Sequence, residues 1–122
     1  MKVKIDTKEK FHVISIEEPI LSANMTEEIR QMLLPYLNEE IKNVILKFGT
    51  VESIDEQSAK TIFETQQTFY DKAASFVICE LNKSVEDVFD NQELLDIINF
   101  TPTESEAWDI VQMEEIEREF LD

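Results

Sequence analysis

The chain has 122 residues, 43% of them hydrophobic, with one glycine and three prolines, a composition that suits one folded domain and supplies no flexible linker or disordered tract. Its 27 acidic residues against 11 basic give a net charge of −16, a surface that repels phosphate backbones and anionic lipid and so counts against nucleic-acid and membrane partners. The charge is uneven: residues 84–122 hold 13 Asp or Glu and a single basic residue, Arg118, so a partner with a basic face would be steered toward that third of the chain.

Alternation opens the sequence. Val3 and Ile5, then Phe11, Val13, Ile14 and Ile16, predict two strands joined by a hairpin over Thr7, Lys8, Glu9 and Lys10. Pro19 closes the second strand. A first helix is expected from Asn24, with Glu27 in capping-box spacing and Met25, Ile29, Met32 and Leu33 on one face; Pro35 should kink or end it. The dense run at 43–48 reads as a central strand buried on both sides. A second helix follows Asp55 with Ala59, Ile62, Phe63, Gln66, Phe69 and Ala73 facing the sheet. Residues 75–79 predict a strand, 84–91 a short helix, 96–100 a last strand, and a final helix is expected to open at Thr103 and run through Ala107, Val111, Met113, Ile116 and Phe120. The order β-β-α-β-α-β-α-β-α gives an α/β fold: a mixed sheet of about five strands covered by about four helices.

The residues offer little for catalysis. His12 and Cys79 lie in separate strands, so no clustered N/S ligand set forms and no metal or other cofactor is expected. Gly49 alone cannot build a phosphate-cradling loop. Glu17, Glu18, Asp55 and Glu56 could suggest a phosphoacceptor pocket, but residues 99–103 have no lysine to serve as counter-ion to the transferred phosphoryl group. No segment approaches the roughly 20 apolar residues of a membrane span, and the opening MKVKIDTKEK lacks the apolar stretch of a signal peptide. The lone Cys79 cannot form an internal disulfide and fits a reducing compartment, so a cytoplasmic, non-enzymatic protein is the expectation. The polar segment 51–59 stands out because it falls at a helix start, where free N–H groups favour negative charge. Capping by Ser53 with Glu56, or by Asp55 alone, is the plain structural reading.

The order of elements resembles the STAS domain family, the fold of bacterial anti-sigma factor antagonists. The matching stretches are 44–48 (Val-Ile-Leu-Lys-Phe), Ile54 with Asp55, 76–78 (Phe-Val-Ile), 84–89, 94–98, 101–103 (Thr-Pro-Thr), Glu106 with Ala107, and the ending 111–119. The resemblance implies that the second helix opens with Asp-Ser-Ser/Thr-Gly, that its first serine is phosphorylated by a kinase-type anti-sigma factor, and that phosphorylation ends binding to that partner. Here Asp55 matches the aspartate, while Glu56 replaces the phosphoacceptor, Gln57 the second hydroxyl residue and Ser58 the glycine. A family acidic residue before the first helix falls near Ser22. Glu56 carries −1 against the roughly −1.5 to −2 of phosphoserine, a partial mimic.

The resemblance therefore implies a partner-binding surface at Asp55, Glu56, Gln57 and Ser58, extended by Lys60 and Glu64, with Ser58 or Ser53 as displaced phosphosites. It equally allows an accessory STAS subunit of a larger complex, such as a lipid-transport ABC system. Residues 113–122 read as an acidic helical extension whose apolar stripe either folds back on the sheet or docks on a partner or a second copy in a homodimer.

Overall fold

The apolar run at 43–48 becomes the middle of a five-stranded sheet in the computed structural model, which describes residues 1–121. Strand β1 (Val3–Thr7) pairs antiparallel with β2 (Phe11–Ile16); β2, β4 (Asn43–Lys47), β6 (Phe76–Cys79) and β7 (Phe100–Thr101) then run parallel, in the order β1-β2-β4-β6-β7. A second, two-stranded parallel sheet joins β3 (Ile20–Leu21) to β5 (Ser53–Ile54). The helices are α1 (Thr26–Leu33), α2 (Glu56–Asp71), α3 (Lys83–Asn91) and α4 (Glu104–Leu121), with 3-10 turns at Ala23–Met25 and Leu34–Asn38. This is the mixed α/β sheet with four helices that the element order predicts.

Period-two alternation explains the layers, because successive strand side chains point to opposite faces. Ile14, Ile16, Val44, Leu46, Phe76 and Ile78 face one side and pack with Ile29, Leu33, Ile62, Phe69, Val85 and Phe89 of α1, α2 and α3. Phe11, Val13, Ile45, Val77 and Cys79 face the other and meet Ala107 and Val111 of α4. Trp108 closes that side, edge-on to Phe11 with ring centroids 5.0 Å apart. With both faces covered, β4 and β6 carry no exposed apolar side chain, as a central parallel strand requires.

Buried polar groups hold the layers in register. The Gln66 side chain is fully buried; its Nε2 donates to the carbonyls of Phe76 (2.7 Å) and Asn99 (3.0 Å), and its Oε1 accepts from the Asn99 amide (2.9 Å). This clamp also corrects the strand expected over 96–100. Residues 97 and 98 turn back onto the Leu94 carbonyl, Ile97 is exposed, and pairing begins only at Phe100.

Two other expectations need correction, while the break expected at Pro35 is present: α1 ends at Leu33 and Pro35 opens the next 3-10 turn. The first helix starts with a 3-10 turn, and Asn24 does not cap it. Ala73 lies beyond α2, exposed, at φ 59°. There the Ala73 amide donates to the Tyr70 carbonyl and the Ala74 amide to that of Phe69, a Schellman ending whose left-handed position usually takes glycine. Glu93 ends α3 in the same way at φ 61°. Because a side chain in that region costs more than the freedom glycine gains on unfolding, Ala73→Gly is expected to stabilise the fold by about 0.5–1 kcal/mol. A higher urea midpoint at unchanged slope would show it; a lower midpoint would contradict it.

Candidate functional site

Two loops converge at the start of α2. The Pro19 carbonyl accepts from the amides of Glu52 (2.8 Å) and Ser53 (3.1 Å), and the Leu21 carbonyl from the Asp55 amide (3.0 Å). The pairs Ile20↔Ser53 and Leu21↔Ile54 complete the small sheet. Asn82 supports it from below: its Nδ2 donates to the carbonyls of Val51 (3.2 Å) and Glu52 (3.1 Å), while its Oδ1 accepts from the Val85 amide and caps α3. Gly49 leaves room for Glu80; a Cβ there would lie 2.5 Å from Glu80 Oε1 and displace that carboxylate from Lys47.

Asp55 is the hinge point of the arrangement. In extended conformation (φ −92°, ψ 171°) it caps α2, with Oδ1 accepting from the Ser58 amide at 2.8 Å. Its other oxygen accepts from the Ala23 amide at 2.6 Å, at the start of the 3-10 turn that leads into α1. One carboxylate thus serves two helix starts. The cap is Asp55 alone, the second of the two capping schemes the sequence allows. Burial pushes the Asp55 carboxyl up, but the amide hydrogen bonds from Ser58 and Ala23 outweigh this and hold it below its ordinary value of 3.8.

The remaining predicted residues separate by helix geometry. Glu56 and Gln57 are exposed, and Glu56, Lys60 and Glu64 recur at four-residue spacing on the same exposed side of α2. Glu56 lies in the first turn, where the helix dipole favours its charge. Ser58 does not join them. Its side chain is fully buried and its Oγ has no hydrogen-bond partner, so a kinase could not reach it in this conformation. Ser53 is half-buried in β5. Ser22 precedes the 3-10 turn and donates from Oγ to Asn24 Oδ1.

Two residues of this surface escaped the sequence reading. Ile20 is 59% exposed on β3, directly beside Ser53, and supplies an apolar element; a two-residue strand is too short for its alternation to register. Asn82 is a ready cap type one residue before α3, and only its residue type signalled it. Elsewhere, His12 is tied into β2: its Nδ1 shares a hydrogen bond with Thr7 Oγ1 (2.9 Å), and its Nε2 donates to the Ile41 carbonyl (2.9 Å). Burial pushes the Cys79 thiol up to about 12, so it stays a neutral, unreactive group at physiological pH. Among the described residues no group of three or more His, Cys, Asp or Glu could hold a metal ion, and no helix is long and apolar enough to cross a membrane.

What the geometry presents is a mostly polar surface at the start of α2, tied to the loop before α1. A STAS domain model matches residues 2–107, and the chain belongs to that family. The match ends one turn into α4. Among solved structures, the chain is similar to a protein from Thermotoga maritima assigned as an anti-sigma factor antagonist (21% identity, TM-score 0.76, covering 90% of this chain and 94% of that one). It is also similar to a serine-to-glutamate variant of RsbS from Moorella thermoacetica (18%, 0.77, 97% and 99%). A third is the anti-sigma factor antagonist SpoIIAA in its unphosphorylated form (18%, 0.71, 91% and 96%). At these identities the likeness establishes the fold. No curated protein matches the chain.

Asp55→Ala removes the side-chain acceptor from both helix starts and is expected to cost about 2 kcal/mol, one ordinary capping contribution at each. The folded-state value of Asp55 is depressed, so its contribution is fully present above the ordinary aspartate value and fades as pH falls through the lowered one. Urea unfolding of wild type and variant should differ at pH 7 and converge in strong acid. A constant difference across that range would contradict the role assigned to the carboxylate.

Proposed function

We propose that the chain is a regulatory protein-binding module of the anti-sigma factor antagonist type. It binds an anti-sigma factor or a kinase-like protein through the start of α2, and it binds rather than catalyses. The observation that carries this reading is the exposed Glu56, directly after the Asp55 cap, at the position where the family resemblance expects the phosphoacceptor serine.

A glutamate cannot gain or lose a phosphate. The binding state at this surface is therefore fixed, with one permanent negative charge where a relative would switch between none and roughly −2. Ile20 supplies apolar contact beside it, and Gln57, Lys60 and Glu64 extend the polar rim, a composition suited to a protein interface. Ser53 is the one remaining serine of the segment with partial exposure, since Ser58 is buried. The reducing compartment that suits the single buried Cys79 is the cytoplasm.

Wild type and Glu56→Ser used as baits in the native cytosol test the reading, with captured proteins identified by mass spectrometry and phosphorylation scored on both. Capture of a kinase-type anti-sigma factor by both baits, with phosphate appearing on Glu56→Ser alone, is expected. Phosphate on Ser53 of the wild type would replace the fixed state with a displaced switch. Capture of transporter subunits, with neither bait modified, would overturn the sigma-control role.

A further inference from the structure

Helix α4 changes character along its length. Its first half is ordinary: Ala107 and Val111 are buried against the sheet and Asp109 faces out. In its second half the inward contacts are polar. Glu114 Oε1 accepts from Tyr70 Oη (2.8 Å) and Ser75 Oγ (2.6 Å), Glu115 Oε1 accepts from Asn43 Nδ2 (2.7 Å), and Arg118 Nη2 donates to Ser75 Oγ (2.8 Å) and Glu115 Oε1 (3.0 Å). The apolar residues of that half lie opposite. Met113, Ile116 and Phe120, at spacings of three and four, are 56%, 53% and 84% exposed and form one stripe along the outer side of the helix.

This is the reverse of a surface helix that packs on its own domain. The polar anchors fix the helix in place with the stripe turned outward, so the folded-back docking of these residues expected from the sequence applies to their helix but not to their side chains.

The surroundings of the stripe select its occupant. Asp109, Glu117 and Glu119 are exposed on the same part of the helix, and the only cation of residues 84–122, Arg118, is spent on the inward contacts. A second copy would set these carboxylates against their own kind, and anionic lipid would be repelled likewise. We infer that the outer side of α4 from Asp109 to Phe120 is a second docking surface, built for a basic amphipathic helix of a partner protein. The partner's apolar side would cover Met113, Ile116 and Phe120, and Lys or Arg on both flanks would meet Asp109, Glu117 and Glu119. This surface is separate from the start of α2 and does not depend on the function proposed for it.

Isothermal titration calorimetry on the full chain tests the inference with two synthetic helical peptides, identical in their leucine face but flanked by lysine in one and glutamate in the other. The lysine peptide should bind one to one, and the glutamate peptide should bind at least about tenfold more weakly. Phe120→Ser and Met113→Ser, which leave the charge unchanged, should each weaken the lysine peptide by about tenfold, the size expected for loss of an interface anchor. Circular dichroism should show both variants folded, and Glu56→Ser should bind as wild type does. Unchanged affinity in both serine variants would reduce the effect to general attraction by an acidic protein and overturn the inference. So would equal binding of the two peptides, binding of the wild type to neutral phosphatidylcholine vesicles through Phe120, or a wild-type dimer in sedimentation equilibrium that Phe120→Ser disperses.

Discussion

The Asp55 carboxylate accepts one amide hydrogen from Ser58 in its own helix start and another from Ala23, 32 residues earlier in the chain. Helix starts leave their first amides without intrahelical partners, so two such starts brought together need either water or a shared acceptor. A carboxylate meets that need with two oxygens at once. With Asp55 in place, the small β3–β5 sheet ties the loop before α1 to the loop before α2, and Glu56 and Gln57 project from that junction. A neutral side chain would leave at least one start uncapped. The placement of Glu56 beside the loop before α1 follows from this one group.

The rest of the fold makes that geometry affordable. A parallel sheet buried on both faces supplies β4 and β6 as a stiff base, and the Gln66 clamp ties α2 to it, which leaves the start of the helix free to face solvent. On the far side α4 covers the sheet first with apolar residues and then with polar anchors. The domain therefore offers two separated surfaces: a capped helix start on the α2 side, and an apolar stripe with an acidic border on the α4 side. The charge of −16 is consistent with partners that bring cations to either.

Most of the architecture was legible because burial on both faces writes itself as continuous apolar runs: the runs at 43–48 and 75–79 contain β4 and β6, and the helical spacing of Ala59, Ile62, Gln66 and Phe69 marks the buried side of α2. What escaped was short or long-range. The two-residue strands β3 and β5 have no period to detect. Asn24 has the right residue type for a cap, but Asp55 reaches across from another loop to supply the bond. Motif position groups Ser58 with its neighbours, although its spacing from Ile62, Thr65 and Phe69 places it on the buried side. The stripe of Met113, Ile116 and Phe120 was visible in the sequence, while its direction was not, because the direction is set by the contacts of Glu114, Glu115 and Arg118 with residues far away in the chain.

One carboxylate couples two helix starts into a single surface. Amide hydrogen exchange followed by NMR in wild type and Asp55→Ala reads that coupling most directly. The Ala23 and Ser58 amides should lose protection together in the variant, while the β4 and β6 amides keep theirs. Loss at Ser58 alone, with Ala23 unchanged, would show two independent loops and would contradict a shared platform.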